Sequence, residues 1–160
     1  MVEKIGIDVG GVIIASHNDH SDTSFFSDNY LNSVPTDQVF ESIASLRTRF
    51  GDEMYIVSKC GKRIEAKTRE WFDHNRVYEQ TGLSVDRMHF TRTREGKAPI
   101  CAHLGITHFV DDRLDVLRHL STVDEQFLFQ GHASEMEKFS QHLQSVHYVR
   151  SWPEIVYSLL

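Results

Sequence analysis

Asp8, Gly10, Ser58, Lys97, Asp111 and Asp112 have the types and positions to serve a single reaction. Asp8 ends the apolar run "KIGIDV" (4–9), Ser58 falls at the end of "MYIVSK" (54–59), and the pair Asp111 and Asp112 ends "THFVDD" (107–112). Lys97 opens the helical stretch before that last run. Ligands of an open parallel sheet bind in the crevice outside the carboxyl ends of its strands. If these runs are parallel neighbours, one crevice collects three carboxylates, a hydroxyl and an ammonium.

The elements that must hold them follow from patterning. Short apolar, β-branched runs alternate with stretches of helical period, which predicts an α/β fold, a Rossmann-like three-layer sandwich around a mostly parallel sheet. Five strands are expected, at 4–9, 54–59, 87–91, 107–112 and 125–131. Thr36 is placed to cap a helix whose apolar face is Val39, Ile43, Leu46 and Phe50, with Gly51 ending it. The stretch 62–82 reads as helix broken near Asn75, with Gly82 past its end, and a short helix is expected over 98–104. A further helix holds Val116, Leu117 and Leu120, and two helical pieces flank "VHYVRSW" near the end of the chain. The segment 15–35 is rich in Ser, Asn and Asp and lacks periodicity, the profile of a long functional or mobile loop.

Composition bounds the function classes. A chain of 160 residues, 40% apolar and 25% charged, fits one soluble globular domain spanning 1–160. No apolar run approaches the roughly 20 residues of a membrane-spanning helix, and Glu3 and Lys4 follow the start at once. A cytoplasmic location is therefore the default. The formal charge of −6 argues against nucleic acid as a general partner. Cys60 and Cys101 form no ligand pair and read as packing residues.

With these residues in place, the sequence resembles the haloacid dehalogenase-like (HAD) hydrolases, as a small member without a large cap domain. "IGIDVGGV" resembles the first motif of that family, "IVSKCG" the second, and "REGKAPICAHLGITHFVDDRLDVL" the third and fourth. Singly, each residue has a plainer role: Asp111 or Asp112 could cap the next helix and Ser58 could sit in a turn. The ordered set of four motifs argues for the resemblance.

The resemblance implies a Mg²⁺-dependent phosphohydrolase acting on a phosphate monoester, small or part of a macromolecule. Asp8 would be the nucleophile and form an aspartyl-phosphate. The metal would lie between Asp8, the carbonyl of Gly10, Asp111 and Asp112, all hard oxygen ligands. Three carboxylates and Lys97 sum to −2, so at least one carboxyl pKa should rise unless a cation is bound. Ser58 would hydrogen-bond a phosphoryl oxygen, Lys97 would bridge nucleophile and phosphate, and Lys59 and Gly11 would complete the substrate contacts.

Position 10 departs from the pattern. Phosphatases of the family usually carry a second Asp there as general acid and base, and a lost acid–base group typically costs about 10²- to 10⁴-fold in rate. The first outcome is a phosphatase whose leaving group needs little protonation, or whose proton comes from the His17, Asp19 and His20 cluster on the long loop. The second is a weak or silent protein that binds a phosphorylated ligand or a protein partner. The third is dehalogenase- or phosphonatase-like chemistry, disfavoured because residues 9–57 hold little beyond one loop and one helix.

Three further features are weighed. His17, His20 and Asp22 have metal-ligand chemistry but lie in a stretch that reads as a solvated loop. Trp71, Phe72, His74 and Tyr78 read as core packing. His132 follows Gly131 at a strand end and could edge the crevice. An open crevice leaves room for the 15–35 loop, or a second copy of the chain in a homo-oligomer, to cover it.

Overall fold

The computed structural model describes residues 2–16 and 29–160. Among these residues six strands form one sheet: β1 (Ile5–Ile7), β2 (Met54–Lys59), β3 (Met88–Thr91), β4 (His108–Asp111), β5 (Glu125–Phe129) and β6 (His147–Val149). Every pairing is parallel and the order is β3-β2-β1-β4-β5-β6. This is the Rossmann-like sandwich expected. The sixth strand lies inside "VHYVRSW", too short at three residues to declare itself by alternation.

Eight helices among the described residues cover the sheet: α1 (Val39–Phe50), α2 (Lys62–His74), α3 (Val77–Thr81), α4 (Lys97–Leu104), α5 (Leu114–Leu117), α6 (Ala133–Lys138), α7 (Ser140–Leu143) and α8 (Trp152–Leu159). Side chains alternate across a strand, so β2, β4 and β5 feed both layers. Met54, Ile56, Val110, Phe127 and Phe129 pack with α1, α2, α3 and α8. Tyr55, Val57, Phe109 and Leu128 pack with α4 and α5 on the other face. The break between α2 and α3 falls at Asn75 and Arg76, where Arg76 takes a left-handed φ of 54°.

Thr36 is not the side-chain cap of α1. The helix begins at Val39 after Gln38, no side chain caps it, and Thr36 instead accepts from Val39 N through its carbonyl while its own N–H donates to Ile13 O. The segment is held in register with the turn after β1, and that tertiary tie overrides the local capping preference.

That turn positions the site. The carbonyl of Val9 accepts from the amides of Val12, Ile13 and Ile14, and the Gly11 amide donates to Ile14 O at 2.9 Å. Two buried tryptophans pin the surrounding chain: Trp152 Nε1 donates to Val12 O at 2.9 Å and Trp71 Nε1 to Ser33 O at 3.0 Å. Ile14 bridges to Pro35, so the two ends of the 15–35 segment meet at its base. Among the described residues no helix is long and apolar enough to cross a membrane.

Candidate metal and phosphate site

The strand order reverses between β1 and β4, because β1 leads outward to β2 and β3 while β4 leads outward to β5 and β6. A crevice opens where connections diverge to opposite faces. Asp8 follows β1 and Asp111 ends β4, so the two carboxylates flank that switch point from adjacent strands. Lys97, first residue of α4, reaches across both: its Nζ donates to Asp8 Oδ1 at 2.9 Å and to Asp111 Oδ2 at 2.7 Å. Asp8, Asp111 and Asp112 each present a carboxylate oxygen within 4.8 Å of the others.

The electrostatics follow from this crowding. Burial, with Asp112 adding repulsion, raises Asp8 from 3.8 to about 6 against the opposing pull of Lys97. Burial and the neighbouring Asp8 raise Asp111 to about 6 as well. Asp112 is also raised, chiefly by burial, although its contact with His132 opposes the shift. Burial pulls the Lys97 ammonium down, but Asp111 and Asp8 outweigh it and the net shift is upward. One buried cation faces three acid groups that are held back from ionising. A set of converging hard oxygen donors short of positive charge fits a divalent cation of the Mg²⁺ type.

The two glycines after Asp8 do different work. Gly11 has a φ of +78°, and a Cβ there would stand 2.4 Å from Asp112 Oδ2, so only glycine lets the turn pass against the carboxylate. Gly10 lies outside the left-handed region, and a Cβ there would meet no described residue within 4 Å. Its lack of a side chain is not imposed by the backbone.

Around this centre is a cavity of about 430 Å³ lined by Asp8, Gly10, Gly11, Ser58, Lys59 and Lys97, together with Asp111, Asp112, Arg94, Arg113 and His132. Asp8, Gly10, Gly11, Ser58, Lys59, Lys97, Asp111 and Asp112 therefore all reach one crevice. Ser58 is buried at the end of β2, and Lys59 beside it is exposed. The α2 helix starts at Lys62, three residues past Lys59, with Gly61 before it.

Three further residues line the rim: His132, whose place after Gly131 at a strand end pointed to the crevice edge, and Arg113 and Arg94, which the sequence reading passed over. His132 Nε2 lies 3.1 Å from Asp112 Oδ2, bringing the end of β5 to the acid cluster. Arg113 donates its backbone amide to Asp111 Oδ1 at 2.9 Å and its guanidinium to Glu135. Arg94 pairs with Asp115 at 3.1 Å. Only proximity along the chain hints at the two arginines, Arg113 following the Asp pair and Arg94 preceding Lys97. Trp71 and Phe72 are fully buried core residues and Tyr78 is half-buried, but His74, expected to pack with them, is exposed; Cys60 and Cys101 are buried free thiols. His17, Asp19, His20 and Asp22 lie outside the described residues.

Neither a family model nor a curated protein matches the sequence. Solved structures do match. A HAD-family hydrolase of Deinococcus radiodurans R1, with bound phosphate and sodium, superposes with a TM-score of 0.63 at 11% identity, covering 99% of this chain and 95% of that one. The protein has the HAD-like fold. A HAD-superfamily hydrolase of Geobacter sulfurreducens PCA, subfamily IA, variant 1, gives 0.59 at 12% identity over 99% and 97% of the two chains. A haloacid dehalogenase-like family hydrolase of Xanthomonas campestris gives 0.60 at 10% over 99% and 96%. At such identities it is the HAD-like fold that is shared, and the chemistry must be argued from this chain's own side chains.

Proposed function

We propose that this protein is a Mg²⁺-dependent phosphohydrolase that cleaves a phosphate monoester through an aspartyl-phosphate on Asp8. The observation that carries the reading is the convergence of Asp8, Asp111 and Asp112 within 4.8 Å beneath the bridging Lys97. Asp8, the Gly10 carbonyl, Asp111 and Asp112 would hold the ion. When bound, a divalent cation supplies positive charge to the carboxylates and to the phosphoryl oxygens.

The chain's own groups have these roles. Asp8 attacks phosphorus, the bond to the leaving oxygen breaks, and that oxygen departs with the electron pair. Lys97 offsets repulsion between the attacking carboxylate and the phosphoryl group, and the Ser58 hydroxyl donates to a phosphoryl oxygen. Water then attacks the phosphorus of the acyl phosphate, releasing inorganic phosphate and restoring Asp8, so one hard displacement becomes two easier ones.

The test is release of phosphate from acetyl phosphate with Mg²⁺ by the wild type, Asp8→Asn and Gly10→Asp. Mg²⁺-dependent release that Asp8→Asn abolishes supports the reading. Release that survives in Asp8→Asn rules it out. Gly10 favours a second reading, a protein that binds a phosphorylated ligand without turnover, and activity appearing only in Gly10→Asp supports that one.

A further inference from the structure

Beside the charged crevice is a second cavity of about 270 Å³ that shares Gly10, Gly11, Ser16, Ser58 and Lys59 with it. Its character is different. Val9, Ile14, Ala15, Ile64 and Cys60 give it an apolar wall, and Lys59, at the mouth common to both, is the one charged lining residue among those described. The hydroxyl of Thr68 donates to Ile64 O at 2.8 Å, so it has no proton left to offer a polyhydroxylated ligand. An apolar cavity of about 150 Å³ admits a benzene ring, so this one admits a single substituted ring.

Among the described residues the same cavity lacks an acid. No carboxyl or imidazole of the described residues lines it, and the place beside Asp8 where one could stand is the open space over Gly10. A leaving oxygen that receives no proton must depart as a stable anion. Phenols ionise near 10, as tyrosine does, whereas water ionises at 15.7, and aliphatic alcohols resemble water. A difference of roughly five units separates a phenolate, which leaves unaided, from an alkoxide, which does not.

We propose that this cavity receives the leaving group of the substrate and that the substrate is an aryl phosphate monoester, a single phenolic ring esterified to phosphate. The inference rests on the phosphohydrolase reading above and names its substrate class. The Asp8 Oδ–phosphorus bond forms as the phosphorus–aryl oxygen bond breaks, and the phenolate leaves with the electron pair toward the Lys59 ammonium, to be protonated by solvent. Water then cleaves the acyl phosphate, its proton passing to solvent.

Two measurements test it on the full chain. In the first, phosphate release is followed with phenyl phosphate and cyclohexyl phosphate, which share a ring size but differ in the leaving oxygen. The wild type should favour phenyl phosphate by about 10³-fold in kcat/KM, and Gly10→Asp should narrow that gap at least tenfold. Equal rates on the two esters would overturn the proposal, and if acetyl phosphate is still hydrolysed the phosphohydrolase reading survives its loss. In the second, calorimetry with Mg²⁺ present compares phenylphosphonate and methylphosphonate, which cannot turn over. Binding of phenylphosphonate about tenfold tighter, a preference lost in Ile64→Asp and in Ala15→Phe, supports the cavity as an aryl site even in a protein that hydrolyses nothing. Equal affinity for the two phosphonates would overturn it.

Discussion

Lys97 Nζ donates to Asp111 Oδ2 at 2.7 Å, and the Asp111 residue has none of its surface exposed to solvent. The same ammonium reaches Asp8, so one side chain from α4 compensates acids from two strands. Removing one partner of a buried charge pair costs about 3–5 kcal/mol, because the other charge stays buried without it. Lys97→Met should therefore lower the urea midpoint of the metal-free protein at neutral pH, and Mg²⁺ should recover part of the loss. An unchanged midpoint without Mg²⁺ would show that the carboxylates do not depend on Lys97.

The raised carboxyl groups make metal-free stability depend on pH with a definite sign. Asp8 and Asp111 move from 3.8 to about 6, so the native state holds their protons more tightly than the unfolded chain. Their contribution is fully present below about pH 3.8 and is lost as pH rises through about 6; for one isolated group it amounts to about 3 kcal/mol. With a chelator present, the fall in melting temperature between pH 4 and 7.5 should be smaller in Asp8→Asn than in the wild type. Thermal melts across that range read it out directly. Coincident profiles for the two proteins would remove the acid cluster as the cause.

Adjacent glycines should respond oppositely to the same methyl group. At Gly11 an alanine meets both a left-handed φ, worth roughly 1–2 kcal/mol, and Asp112 Oδ2 at 2.4 Å. Gly11→Ala should lower the melting temperature and weaken Mg²⁺ binding at least tenfold, since Asp112 must move. Gly10→Ala meets no atom of the described residues and should leave stability unchanged or raised by about 0.4–1 kcal/mol, through the stiffer unfolded chain. Differential scanning calorimetry of the two variants separates these outcomes.

His132 Nε2 lies 3.1 Å from Asp112 Oδ2. The ring fixes the direction in which that carboxylate faces the crevice, and removing a partner of this kind typically weakens metal binding 10- to 100-fold. His132→Ala should show that loss in a Mg²⁺ or Mn²⁺ titration, and His132→Gln, which keeps a hydrogen bond donor, should recover part of it. Equal affinity in wild type and His132→Ala would mean that Asp112 is oriented without the ring.

Much of the molecule is already written in local pattern. Alternating apolar runs and helical stretches place five of the six strands described, and the strand ends single out Asp8, Ser58, Asp111 and Asp112, with Lys97 at the start of α4, because a parallel sheet delivers its strand ends and the helix starts that follow them to one edge. Gly82 and Asn75 mark helix limits through backbone preferences that act within a few residues. Only tertiary structure decided the rest. Thr36 meets the Val39 amide with its carbonyl and not its hydroxyl, and β6 appeared because β5 offered it an edge. Gly11 and His132 gained their roles from meeting Asp112, about 100 and 20 positions away in the chain. The apolar cavity formed where the turn after β1 faces the start of α2, with Ile14 contributed by the one and Ile64 by the other. Periodicity is a property of neighbours along the chain, whereas contact with a particular carboxylate, or the emptiness over Gly10, exists only once distant segments have been packed together.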